Sequence, residues 1–331
     1  MDDRKYPFET SWQALFKDLK VSTQDVLRYA GLPLDLLSRK SPMITGEEYF
    51  RLWDGLATVL RDNPTFPVDF AMSSTPEIFS PPLFASFCSP NLNVAAKRIA
   101  YYKPLVGPIR LLVQTINERT TIKIGALPEH SDLPPSLVAA ELAWWVYMPR
   151  LATREHLVPQ SVHTTAEIPE KAVYEDYFGV RLTQSDFNGV TYSARDAERP
   201  FLTANDAMWS IFEPQLNQRM QDLAQNATYR EKVRACLMEI MANGQYRVGD
   251  VASRLAVSPR TLQRHLRNEG TSFQHVLDGL REELARHYLA KSEYSSGQIA
   301  FLLGYDDPNS FFRAFRGWTG QTPEVARASV Q

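Results

Sequence analysis

The C-terminal third of the chain contains one supersecondary unit twice, and this repeat limits the fold more than any other feature. Setting "GDVASRLAVSPRTLQRHLR" over "GQIAFLLGYDDPNSFFRAFR" pairs Val251 with Ile299, Ala252 with Ala300, Leu255 with Leu303 and Val257 with Tyr305. After one inserted residue, Pro259 pairs with Pro308, Leu262 with Phe311, Arg264 with Arg313, Leu266 with Phe315 and Arg267 with Arg316. Each copy reads as a short helix, a turn and a second helix. An alanine marks the close approach of the two helices. The second helix opens on a capping residue and a proline, Ser258-Pro259 or Asp307-Pro308. Proline is tolerated at that position because its missing N–H has no intrahelical partner.

The second helix of each copy has two unlike faces. Leu262 and Leu266, or Phe311 and Phe315, stand one turn apart and face a core. On the other side Arg260, Gln263, Arg264 and Arg267 fall at i, i+3, i+4 and i+7, a single stripe, and Asn309, Phe312, Arg313 and Arg316 repeat the spacing. Arginine pairs bidentately with a guanine edge, glutamine or asparagine with adenine, and any arginine with phosphate. On one isolated helix such a stripe is as readily an ordinary solvated face. Two copies in one register point instead to double-stranded DNA.

These residues resemble the DNA-binding domain of AraC/XylS-type bacterial transcription regulators, over about 229–327. The densest match is "IAFLLGYDDPNSFFRAFRGWTGQTPEVAR": Ile299, Ala300, Gly304, Asp307, Phe311, Arg313, Phe315, Gly320, Thr322 and Pro323 agree with the family pattern. Tyr305 and Arg316 stand where the family has phenylalanine and lysine. The resemblance implies an all-α domain, here 226–331, with helix-turn-helix motifs at about 248–267 and 296–317. The long helix "SFQHVLDGLREELARHYLAK" would join them. The two recognition helices would then enter successive major grooves about 34 Å apart. Arg260, Gln263 and Arg264 are the expected base readers of the first helix, and Asn309, Phe312 and Arg313 those of the second. Arg267 and Arg316 are expected on phosphates, where they add affinity and salt dependence. Phe312 departs from the small or polar residue usual in the family; contact with a thymine methyl and packing inside the domain are both open to it.

Bulk properties agree with a two-domain soluble protein. A chain of 331 residues exceeds one average domain. Net charge is −2, but from Arg230 onward there are 14 lysines and arginines against 11 acids, compared with 22 against 27 before it. No long apolar run or secretory leader is present, and Cys88 and Cys236 are too few and too far apart for a disulfide framework, so a cytoplasmic location is expected. A Gly-rich phosphate loop, a G-x-S-x-G elbow and H-E-x-x-H are all missing; no catalytic set, cofactor or metal is expected, and the protein is not read as an enzyme.

Residues 1–225 read as an α+β domain. Helical patterns such as "TGEEYFRLWDGLATVL", opened by a capping box at Thr45 and Glu48, fill the first part. Then "PIRLLVQTI", a three-residue polar turn "NER", and "TTIKIGAL" form a hairpin, with further strands in "QSVHTTAEI", "GVRLT" and "GVTYS". The eight strands of a jelly roll are not found. More weakly, about 10–225 resemble the arabinose-binding-type N-terminal domain of one branch of the family, which implies effector sensing, dimerisation or both. The aromatic residues of "ELAWWVYMPRLATREH" read first as core. The effector alternative places one of the tryptophans, Trp144 or Trp145, or Tyr101 and Tyr102, in a pocket with Arg150 or Arg154 as carboxylate anchor. A homodimer would use the apolar face from Phe212 to Leu223. The implied function is a DNA-binding regulator, an activator engaging RNA polymerase under an unknown small-molecule effector; the alternative is a constitutive DNA-binding factor whose N-terminal domain only dimerises.

Overall fold

The computed structural model describes residues 4–9, 11–127, 132–225, 228–241, 244, 246–291 and 294–328. The chain divides into two compact units, Met1–Ala224 and Gln225–Gln331. Asn226, the boundary expected from the sequence, lies outside the described residues.

The first unit begins with β1 (Lys5–Pro7), α1 (Ser11–Asp18), α2 (Thr23–Tyr29), β2 (Met43–Thr45), α3 (Gly46–Val59), α4 (Phe66–Ser73), α5 (Pro81–Phe87) and α6 (Leu92–Tyr102). A 3-10 turn, Lys103–Leu105, leads to β3 (Ile109–Ile116) and β4 (Arg119–Ala126). Then come α7 (Pro135–Thr153), β5 (Ser161–Thr164), α8 (Lys171–Phe178), β6 (Leu182–Gln184), β7 (Asn188–Ser193), α9 (Ala194–Ala197) and α10 (Asp206–Gln225). The main sheet has the order β3-β4-β7-β5-β6, antiparallel except for β5 beside β6. That parallel pair needs a crossover, which α8 supplies. Helix α7 is buried almost all round, as its nearly unbroken apolar sequence requires, and packs on α3, α4 and β7.

The capping box that opens α3 forms as read: Thr45 Oγ1 accepts from Glu48 N at 3.2 Å, and Glu48 Oε2 accepts from Thr45 N at 2.8 Å. Several local expectations need correction. The β3–β4 turn has two residues, because Ile116 pairs with Arg119. Asn117 and Glu118 both take positive φ, 50° and 58°, the geometry whose twist matches a hairpin. Pro81 and Pro82 start a helix rather than only turning the chain, since both occupy its first turn. The β1–β2 ribbon has strands of three residues, too short to show an alternating pattern.

The apolar face of α10 is also not free. Leu216 is buried against Ala85, Tyr102 and Leu105, with Trp209, Phe212, Met220 and Leu223 packed around them. Tyr102 donates its hydroxyl to Asn217 Oδ1 at 2.7 Å, and the Arg98 guanidinium lies 3.5 Å over the Trp209 ring. Leu216 of the stripe expected to make a homodimer is therefore seated in its own domain, while Phe212, Met220 and Leu223 are only partly buried.

The second unit is helical: α11 (Tyr229–Ile240), α12 (Val248–Arg254), α13 (Pro259–Asn268), α14 (Phe273–Lys291), α15 (Ser296–Leu302), α16 (Pro308–Thr319) and α17 (Pro323–Ala328). It has two small cores. One gathers Val251, Ala252, Leu262 and Leu266 around α11, the other Ile299, Ala300, Phe311 and Phe315. Helix α14 serves both, giving Val276, Leu277 and Leu280 to the first and Ala285 and Leu289 to the second.

The repeat extends to backbone geometry. Ala256 has φ 55° and Gly304 φ 72° at equivalent places in the two turns. Val257 N donates to Ala252 O at 3.0 Å and Tyr305 N to Ala300 O at 3.0 Å, so both first helices end alike in a left-handed cap. Alanine in that region is strained, whereas glycine is at ease there. At Gly304 a Cβ would also come within 2.6 Å of the Tyr246 ring. Gly304→Ala should therefore destabilise the C-terminal unit by about 1–3 kcal/mol. Ala256→Gly should be neutral or stabilising by up to about 1 kcal/mol. Urea unfolding read by hydrogen exchange in α12 to α16 tests the contrast; equal effects would remove the steric role assigned to Tyr246.

Candidate nucleic-acid interface and ligand cavity

Each recognition helix is anchored through one half of its circumference. In α13, Leu262 and Leu266 are fully buried, and Ser258 Oγ caps the helix by accepting from Thr261 N at 3.1 Å. His265 stacks on Tyr229 with ring centres 4.0 Å apart. Just beyond the helix, the Glu269 carboxylate accepts from Tyr229 N at 2.7 Å and Arg230 N at 2.9 Å, tying α13 to the start of α11. In α16, Phe311 and Phe315 are fully buried, and Asp307 caps by accepting from Ser310 N at 3.0 Å. The Ser310 hydroxyl donates to the same carboxylate, and these bonds hold the Asp307 acid below the usual carboxylate range.

The other half is bare. Arg260, Gln263, Arg264 and Arg267 are exposed along α13, and Asn309, Arg313 and Arg316 along α16. Among the described residues, none of these arginines forms an ion pair; Arg313 only donates to Ser310 Oγ at 3.3 Å. Of the nearby acids, Glu269 is bonded to α11, and Asp307 caps its helix while attracting Arg313 electrostatically, the two sharing the Ser310 hydroxyl. Phe312 is half-buried, its ring 5.8 Å from that of Phe311, so part of its surface belongs to the core of the second motif.

One buried cation joins the two motifs, and its helix carries no sequence signal for it. Arg281 of α14 donates from Nε to Leu303 O at 2.9 Å and from Nη2 to Gly304 O at 3.0 Å. Its guanidinium lies 4.3 Å from the Tyr305 ring centre and 5.0 Å from that of Tyr246. Tyr246 precedes α12 and Tyr305 lies in the second turn, so Arg281 fixes the first motif against the second.

The N-terminal unit contains a cavity of about 120 Å³. Its walls include Trp12, Tyr49, Trp53, Phe70, Phe79 and Trp144, with the polar groups of Glu9, Ser80, Lys103 and Glu141. Of the effector residues expected from sequence, Trp144 alone lines it. Tyr101 is 57% exposed at the end of α6, and Trp145, on another face of α7, is fully buried in the core. Arg150 does not line the cavity, and three of its five N–H donors meet backbone carbonyls: Nε meets Leu157 O at 2.8 Å, Nη1 Tyr177 O at 2.8 Å and Nη2 Phe178 O at 3.2 Å. It clamps loop backbone instead.

The sequence reading missed the ion pair at the cavity wall. Lys103 Nζ is 2.7 Å from Glu141 Oε1, and the two side chains are only 5% and 12% exposed. A signal was present: Glu141 is the sole charge between Pro135 and Pro149 in an otherwise apolar helix. Burial, reinforced by the Glu141 carboxylate, pushes the Tyr49 phenol far up and keeps it neutral. Both thiols, Cys88 and Cys236, are buried and shifted upward by that burial, which makes them poor nucleophiles. Among the described residues, no group of three His, Cys, Asp or Glu is placed to hold a metal, and no helix is long and apolar enough to cross a membrane.

Two sets of variants follow from this geometry. Arg264→Ala or Arg313→Ala should cost about 1–3 kcal/mol of sequence-specific binding, while Arg267→Ala or Arg316→Ala should weaken all duplexes alike and lower the salt slope by about one. Titrations of specific and scrambled duplexes at several salt concentrations separate these effects. Arg281→Met should weaken binding to a site of two blocks while leaving binding to a single block unchanged; equal loss on both would mean that it acts only through stability.

Comparison with known proteins agrees with both halves of this geometry. Residues 21–201 match the family model described as the arabinose-binding domain of AraC transcription regulator, N-terminal, and residues 251–329 match a helix-turn-helix domain model. The ornithine utilization regulator of Pseudomonas aeruginosa is 34% identical over 161 residues, 46% of this chain and 45% of that protein, less than half of its length. The HTH-type transcriptional regulator VirS of Mycobacterium tuberculosis is 26% identical over 324 residues, 95% of this chain and 93% of that one. Among solved structures, the transcriptional regulator CdpR from Pseudomonas aeruginosa aligns over 97% of this chain and 98% of its own, at 21% identity and a TM-score of 0.45, too loose a superposition to add to the sequence matches. The chain belongs to the AraC family of DNA-binding transcription regulators, not to a family of enzymes, and couples an N-terminal ligand-binding domain to a C-terminal helix-turn-helix domain.

Proposed function

We propose that the protein is a cytoplasmic transcription activator that reads an operator of two short blocks, under control of a small molecule bound in its N-terminal domain. The observation that carries the reading is the pair of recognition helices whose arginine stripes are exposed and in matching register, with no salt bridge among the described residues. Arg260, Gln263 and Arg264 would read one block, and Asn309 and Arg313 the other, with Phe312 able to offer its exposed edge to a thymine methyl. Arg267 and Arg316 would hold phosphates. Activation would follow when the effector favours a state that holds DNA and RNA polymerase together. The cavity favours effector control over a domain that only dimerises, because its buried ion pair adds little stability over apolar residues of the same volume.

Selection from random duplex DNA with the purified protein, at two salt concentrations and with Arg264→Ala alongside, tests the reading. The expected outcome is an enriched site with two blocks about one helical turn apart, altered in one block by the variant. Identical sites from both proteins would overturn the assignment of Arg264. A repeat with the isolated C-terminal unit separates a need for effector from loss of DNA reading.

A further inference from the structure

The cavity has a chemistry more specific than a place for some effector. Six rings surround it, and the Trp12 ring lies 6.0 Å from that of Tyr49, 6.1 Å from Trp53 and 5.7 Å from Phe70, centre to centre. A flat apolar ring can lie against such walls in offset or edge-on contact. The volume of about 120 Å³ is of the order that accepts a single benzene-sized ring.

The polar groups narrow the class further. Lys103 is committed to Glu141 through Oε1, so its charge is already answered. The second carboxylate oxygen, Glu141 Oε2, is buried and finds no hydrogen-bond partner among the described residues, and the same holds for Ser80 Oγ and for the donor Trp53 Nε1. A hydroxyl, which can both donate and accept, therefore suits the lining. An ionised carboxylate oxygen only accepts, so the group that would satisfy Glu141 Oε2 must be a donor. An anionic ligand is disfavoured twice, because Glu141 and Glu9 both face the space and Lys103 has no charge to spare. A polyhydroxylated ligand would leave most of its hydroxyls against aromatic walls.

We propose that this cavity binds a small uncharged ring compound carrying one hydrogen-bond donor, of the phenol class. The ring packs between the Trp12–Trp53–Phe70 wall and Trp144, and the hydroxyl donates to Glu141 Oε2. The inference rests on the reading of the N-terminal domain as a ligand receiver and names what it receives.

Calorimetric titration of the full-length protein with phenol, anisole and benzoate tests it. Phenol should bind saturably. Anisole, whose oxygen is methylated and cannot donate, should bind about tenfold more weakly or worse. Benzoate should not bind in the same range. Glu141→Leu alone leaves Lys103 buried without its partner and endangers folding, so the informative variant is the double change Lys103→Met with Glu141→Leu, which replaces the pair by apolar groups. There the preference for phenol over anisole should vanish. Failure of phenol to bind, equal affinity for anisole, preference for benzoate, or an undiminished preference in the double variant would each overturn the proposal. Its failure is distinguishable from failure of effector control. Phenol that binds in the stated pattern yet leaves operator occupancy and transcription unchanged sinks the control and keeps the site. Operator binding governed by another compound, with no binding of phenol, does the reverse.

Discussion

A helix that reads DNA must be held by half of its circumference so that the other half can be left bare. The C-terminal unit meets this constraint twice with little material. Leu262 and Leu266 anchor α13, and Phe311 and Phe315 anchor α16, all fully buried. With only two fully buried side chains per helix, the ends are fixed by polar means as well. Ser258 and Asp307 cap the starts, and Glu269 ties the exit of the first helix to the N-terminus of α11. Each of these acceptors is engaged with backbone donors, and Asp307 still feels the charge of Arg313 beside it. Local stability and an exposed basic face are thus the same arrangement seen from two sides.

Two such motifs read a composite site only if their separation is held. Rigid spacing gives the second contact a high effective concentration once the first has formed. The spacing here depends on α14, which enters both cores, and on Arg281, whose guanidinium bonds Leu303 O and Gly304 O between the rings of Tyr246 and Tyr305. The buried cation has carbonyls for its N–H groups and aromatic faces for its plane, so it has no need of an acid. The glycine at 304 belongs to this joint: it accepts a positive φ and leaves room for Tyr246.

How far the sequence discloses this depends on the range of each interaction. The recognition helices are legible because their apolar pairs, caps and arginine stripes are periodic within ten or twelve residues, and four of the five main strands because each carries at least two β-branched residues, where β6 carries only Thr183. The two-residue hairpin turn is misread since Arg119, polar and adjacent to Asn117 and Glu118, looks like loop until its pairing with Ile116 is known. Arg150 looks like a ligand anchor because nothing local reveals that its donors meet carbonyls at 157, 177 and 178. Lys103 and Glu141 are separated by 38 positions. Only the oddity of one acid in the apolar α7 hints at that pair. The face of α10 shows its amphipathic stripe plainly, but a stripe does not say that Leu216 is seated on Tyr102 and Leu105 of its own domain.

The same few residues show what effector control would require of the N-terminal domain. Leu105 lines the cavity and also belongs to the cluster that seats α10, and Lys103 directly follows Tyr102, whose hydroxyl anchors Asn217 of that helix. Helix α10 in turn ends at Gln225, where the second unit begins. A ligand that engages Glu141 therefore acts on the partner of Lys103, one residue from the anchor of the last N-terminal helix. A ligand shifts a conformational equilibrium only by the difference in its affinity for the two states. A cavity whose polar wall is an ion pair is suited to produce such a difference, since a donor on Glu141 changes the balance of a buried charge pair rather than adding one more apolar contact.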